Sequence, residues 1–144
     1  MLPKITLMDV YVIESLRKKG VSEQTIIEKV RNHEVEAFHR YEEGFDYTVL
    51  YALEEEGILE KVLQEGYEVK FLTYTGLVNL LELLFNKKEN IDYQTEDFTV
   101  YELKLEGEEL EKLKQMVSKN WTVLEEKGFV TIKPLYQPPT LPSA

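Results

Sequence analysis

The sequence predicts an α+β fold: a helical N-terminal half followed by a small, mostly antiparallel sheet that carries two helices. Three observations lead there. Up to about residue 65, apolar residues recur at the i, i+3, i+4 spacing of amphipathic helices. From Gly66 onward, stretches such as Tyr67-Val69-Phe71 and Phe98–Leu105 alternate like strands. The resulting order is four helices and then β, α, β, α, β, β, and helices followed by strands favour α+β over interleaved α/β units. At 43% hydrophobic residues the chain can build a core. Residues 1–136 are expected to form one compact domain, with a helical part over 1–65 and a mixed part over 66–136. Residues 137–144 are expected to be a flexible proline-rich tail.

Each element has a local reason. Thr6 is placed to cap a first helix over about 7–19, in which Val10, Ile13 and Leu16 form the apolar stripe and Gly20 the stop. Ser22 caps a second helix built on Ile26, Ile27 and Val30. Phe38, Tyr41 and Phe45 stand at i, i+3 and i+7 and predict a third, aromatic helix. Val49, Leu50 and Leu53 predict a fourth, which Gly57 ends. Ile58, Leu59, Val62 and Leu63 continue at helical spacing.

In the second half, Leu77, Leu80, Leu81 and Leu84 predict a helix over 76–85. The alternation of 98–105 predicts a strand with a bulge or with both faces buried. Leu110, Leu113 and Val117 predict a helix over about 108–119, with Asn120 as its left-handed cap. Trp121 to Ile132, turning at Lys127-Gly128, reads as a terminal hairpin; the alternative extends the preceding helix through Leu124.

The net charge is -10, and it is unevenly placed. Residues 1–31 carry six Lys and Arg against four acids. Residues 41–60 hold Glu42, Glu43, Asp46, Glu54, Glu55, Glu56 and Glu60 with no base, and residues 91–111 are equally acidic, with Lys104 the lone base. Such a field repels phosphate backbones and suits a basic partner, or simply keeps the protein soluble. No apolar run is long enough to span a membrane. Asp9 and Glu14 interrupt the segment a secretion signal would need, so a cytoplasmic location is expected and a membrane partner is not. With no cysteine, disulfides, thiol catalysis and Cys-ligated zinc are excluded.

No assembled catalytic set is visible. The glycines never reach GxGxxG or GxxxxGK spacing, and Gly20-Val21-Ser22 lacks the second glycine of a nucleophile elbow. His33-Glu34 begins like HExxH, but Ala37 stands at the second histidine position. Glu36, His39 and Glu43 could share a helix face and hold a divalent cation loosely; the bland alternative is a solvated polar face. Paired carboxylates are too abundant among 27 acids to single one out as catalytic. No cofactor and no catalytic residue is expected. Pro139-Thr140-Leu141-Pro142 fits a PxxP ligand, or a frayed terminus.

Leu16 to Ile26, with Gly20 in a turn, Ser22 as cap, and Thr25 and Ile26 behind it, resembles a lac-repressor-type helix-turn-helix. Val49 to Glu60 is similar to the recognition helix and the first wing residues of PadR-like winged-helix regulators. Val69 to Gly76 is similar to their returning wing strand and the LTxxG start of the next helix. Together these cover roughly residues 6–87. The resemblance implies a DNA-binding regulator contacting phosphate through Arg17, Lys18, Lys19, Lys29, Arg31 and Lys70. The chain departs from that pattern in three ways: residues 33–44 are extra, the wing is short and its first strand has helical periodicity, and the reading helix carries Asp46 and Glu54 to Glu56 in place of arginine and lysine. Gly66 to Thr73 and Leu113 to Trp121 also resemble small proteins of Gram-positive bacteria, a likeness that implies a cytoplasmic location and no site.

The leading expectation is a small acidic binding or regulatory protein without enzymatic activity. Its partner would be another protein, most simply a basic one, met through Tyr41, Tyr47, Glu54, Glu55 and Glu56, since tyrosine among charges is a common interface anchor. A homodimer is a further expectation, and nucleic acid is not expected. The alternatives are the winged-helix regulator and, third, a metal-binding protein or an enzyme with an unrecognised carboxylate site.

Overall fold

The computed structural model describes residues 2–117 and 119–135. The PxxP segment at 139–142 and the rest of the proline-rich tail lie outside the described residues. The fold is α+β. The chain divides into two compact units, Met1–Lys70 and Phe71–Ala144.

The first unit is helical. A two-residue strand β1 (Lys4–Ile5) leads into α1 (Leu7–Lys18), where Thr6 and Asp9 form a reciprocal capping box. The helix ends in a Schellman motif: Val21 N–H reaches Leu16 O at 3.0 Å and Gly20, at φ +86°, donates to Arg17 O. Ser22 then accepts from Thr25 N–H and starts α2 (Glu23–Arg31). After α3 (Val49–Glu55) the same device recurs with Gly57 at φ +75° and Ile58 N–H on Leu53 O, and α4 (Leu59–Glu65) follows at once. Strand β2 (Glu68–Val69) lies parallel to β1. Val10, Ile13, Leu16, Ile26, Leu50 and Val62 are among the residues that fill this unit's core.

Two expectations fail here. The aromatic helix through Phe38, Tyr41 and Phe45 is instead a 3-10 helix over Val35–Arg40 followed by turns. Side chains outcompete helix propagation: Tyr47 Oη donates to Glu42 O at 2.6 Å, and Asp46 accepts from Thr48 N–H at 3.0 Å, so the backbone bends back. The strand expected through Phe71 stops at Val69, because β1 supplies a partner for only two residues and Phe71 is left exposed.

The second unit begins with α5 (Tyr74–Phe85), capped by the Thr73 hydroxyl and closed by left-handed Asn86. Leu77, Leu80 and Leu81 are buried and Leu84 half-buried. Its antiparallel sheet runs β3-β4-β6-β5, with β3 (Gln94–Glu96), β4 (Thr99–Leu103), β5 (Trp121–Glu126) and β6 (Phe129–Pro134). The short edge strand β3 was not expected.

A bulge between Val100 and Leu103, with Glu102 at φ +57°, turns both apolar side chains inward against β6 and resolves the ambiguity of 98–105. The hairpin reading of 121–132 holds, with Trp121 opposite Pro134 and Glu126 opposite Phe129. Helix α6 (Glu108–Met116) stops earlier than expected: Val117 is already extended, so Asn120 is not its cap. Asn120 Nδ2 and Trp121 Nε1 instead donate to Leu72 O at 3.0 and 2.6 Å, which ties the start of β5 to the segment before α5.

Candidate functional site

In the first unit, local chemistry decides which of the expected contact residues reach the surface. Tyr47 does not: it is 1% exposed, and its ring packs against Phe38 at 5.5 Å and edge-on against His39 at 4.9 Å. Burial holds its phenol above the ordinary tyrosine range, reinforced by the nearby Glu42. The surface pair Tyr41–Tyr47 is thus corrected to a core tyrosine and a half-buried one, because the turn that replaces the aromatic helix rotates Tyr47 inward. Tyr41 carries the Arg40 guanidinium over its ring at 5.3 Å. Glu55 and Glu56 are exposed at the end of α3, whereas Glu54 accepts from Arg31 at 2.7 Å.

Three of the six basic residues of the winged-helix reading are paired with carboxylates. Arg31 reaches both Glu54 at 2.7 Å and Glu60 at 3.2 Å, and these carboxylates raise its pKa further. Arg17 contacts Glu14 at 2.9 Å and Glu23 at 3.5 Å, and its second nitrogen donates to Leu63 O at 2.7 Å. Lys29 pairs with Glu34 at 3.2 Å. Lys18, Lys19 and Lys70 are exposed. Residues 59–65 form α4 where a first wing strand would run, and β2 pairs in parallel with β1 rather than with an antiparallel neighbour.

The cation candidate is not assembled. His39 Nε2 lies 3.4 Å from Glu36, but the 3-10 helix ends at Arg40, so Glu43 does not continue that face. Among the described residues no three His, Asp or Glu side chains are placed to hold a metal.

Two clusters escaped the sequence reading. Glu14, 4% exposed, accepts from Arg17 and, at 3.1 Å, from Tyr67 Oη. Burial, followed by the Glu14 charge, pushes the Tyr67 phenol up. The signal was present, since Glu14 falls four residues after Val10 on the buried stripe of α1.

The second cluster lies in the other unit. Tyr74 Oη donates to Glu89 Oε2 at 2.5 Å, and Thr95 Oγ1 donates to the same oxygen at 3.2 Å. Among the described residues the Tyr93 hydroxyl is the one buried side-chain polar atom without a hydrogen-bond partner. Burial, with Glu89 next, pushes the Tyr93 pKa up to about 12. The Phe98 ring stands edge-on to Tyr74 at 5.5 Å and remains 61% exposed.

The same unit has an open groove of about 330 Å³ between the start of α6 and the β5–β6 turn, with Leu105, Leu110, Phe129 and Val130 among its lining. No helix among the described residues is long and apolar enough to cross a membrane. No family model, curated protein or solved structure matches this chain.

Proposed function

We propose that this protein works by binding another protein, a basic one, and not by catalysis. The observation that carries this reading is the distribution of charge in the first unit. Arg17, Lys29 and Arg31, three of the six bases on which phosphate binding would depend, are paired with carboxylates, while Lys18, Lys19 and Lys70 and the acids Glu55 and Glu56 face solvent. Exposed carboxylates without local counter-charge attract cations over roughly a Debye length, about 8–10 Å at physiological salt. Tyr41, Glu55 and Glu56 are the contact residues in this reading; Glu54 contributes through its pair with Arg31, and Tyr47, being core, is not among them.

The test is a titration with fluorescent hexalysine and, in parallel, a fluorescent mixed-sequence DNA duplex, each at low and at physiological salt. Hexalysine should bind, and the triple variant Tyr41→Ala/Glu55→Gln/Glu56→Gln should bind it more weakly. Unchanged binding by that variant removes the site.

The winged-helix reading keeps one observation in its favour: the glycine turn and Ser22 cap join α1 to α2 as its helix-turn-helix requires. Salt-dependent DNA binding would put that reading first, since low salt gives any phosphate attraction its best chance.

A further inference from the structure

We propose that the β3–β4 hairpin tip in the second unit is a docking point for a lysine or arginine side chain of a partner protein, with Phe98 as its aromatic platform and Glu89, Glu96 and Asp97 as its counter-charges. The proposal rests on the reading of a basic protein partner but uses residues of the second unit instead of Tyr41, Glu55 and Glu56 of the first.

Phe98 is the observation that asks for an explanation. The pairing of Glu96 with Thr99 leaves a two-residue loop, Asp97-Phe98, with φ +51° and +62°. That is the type I′ turn, whose usual residues are Asn-Gly because both positions lie in the left-handed region. A bulky aromatic is unfavourable there. Burial does not compensate, since the ring is 61% exposed. Neither the turn conformation nor burial accounts for a phenylalanine at this position.

The segment that carries it is acidic: between Lys88 and Lys104, residues 89–103 contain Glu89, Asp92, Glu96, Asp97 and Glu102 and no lysine or arginine. The Tyr74 ring braces Phe98 edge-on, and its hydroxyl is held by the Glu89 carboxylate at 2.5 Å. Thr95 donates to the same carboxylate. The ring is therefore presented by a fixed tyrosine–carboxylate pair and not by a loose loop. An aromatic face flanked by carboxylates suits a long cationic side chain: the methylene stem lies on the ring and the charged head reaches the acids. The same carboxylates repel phosphate groups and anionic lipid.

The experiment uses the full chain and hexalysine, with calorimetry for affinity and amide chemical shifts for location. Phe98→Gly removes the ring and places at φ +62° the residue that tolerates it best, so the melting temperature should not fall. Affinity should drop about two- to fivefold, the range a surface cation–π contact supplies. Shifts in the wild type should include Glu89, Glu96 and Phe98.

Unchanged affinity in Phe98→Gly overturns the proposal. So does a parallel loss of stability and affinity that Phe98→Leu restores, which would make the ring structural. If Glu55→Gln/Glu56→Gln weakens hexalysine while Phe98→Gly does not, the first-unit site stands and this one falls. Absence of hexalysine binding by the wild type at low salt overturns the basic-partner reading and this proposal with it. Phe98-dependent binding to phosphatidylcholine vesicles, with hexalysine unaffected, would reassign the ring to a lipid surface and overturn the proposal.

Discussion

Glu14 and Tyr93 solve the problem of a buried polar group in opposite ways. Glu14 is compensated: Arg17 and Tyr67 both donate to it, and Arg17 continues to Leu63 O, so one carboxylate links α1 to α4 and to the start of β2. Truncating such a group leaves a guanidinium and a phenol without their acceptor. Glu14→Ala should cost about 2–4 kcal/mol in denaturant unfolding, and Glu14→Gln less.

Tyr93 is not compensated. Its buried hydroxyl has no partner, so Tyr93→Phe removes an unmet desolvation cost and should leave the melting temperature unchanged or raise it. The alkaline limb follows in sign. The folded phenol pKa is raised from 10.0 to about 12, so its contribution to stability is complete below pH 10 and is lost as the pH rises through 12. Wild-type stability should therefore decline over that window, measured against tyrosinate absorbance, and Tyr93→Phe should flatten the decline. Tyr67, whose phenol is also pushed up by burial, acts in the same direction and keeps part of the slope in that variant.

At the scale of elements, turn chemistry fixes registers that apolar pattern alone leaves open. The β5–β6 turn has Lys127 at φ +52° and Gly128 at φ +84°, again the type I′ geometry. Lys127→Asn should stabilise by about 0.5 kcal/mol and Gly128→Ala should destabilise by about 1 kcal/mol, read as shifts in denaturation midpoint. The helix stops at Gly20 and Gly57 were readable because a Schellman motif needs a glycine at one position and an apolar residue at the next. Val21 and Ile58 supply the second part. The aromatic helix was misread because helical spacing of Phe38, Tyr41 and Phe45 says nothing of Asp46 and Tyr47, whose hydrogen bonds to nearby backbone compete with helix.

For the molecule as a whole, charge is the dominant surface property. A net charge of -10 in 144 residues repels itself in the folded state. Salt screens that repulsion, and the few surface ion pairs it also weakens contribute little each. The melting temperature should rise from low to physiological ionic strength; a fall would mean that the pairs of Arg17, Lys29 and Arg31 outweigh the net charge. Running charge along the chain assigned a basic character to residues 1–31. The structure cancels much of it by bringing Glu34, Glu54 and Glu60 to Lys29 and Arg31. Charge summed along a sequence is a poor guide to a surface field when the counter-charges arrive from 23 or 29 residues away.

By itself the sequence determined the α+β class, the caps at Thr6 and Ser22, the glycine helix stops, and the terminal hairpin. All of these depend on residues within a few positions of one another, so local conformational preference decides them. Only the tertiary structure decided that Tyr47 is core, that Arg31 is neutralised by Glu54 and Glu60, and that Tyr67 joins Arg17 as a donor to Glu14. Each of those depends on which distant groups fold alongside, and burial and ion pairing are properties of proximity in space, which spacing along the chain does not encode.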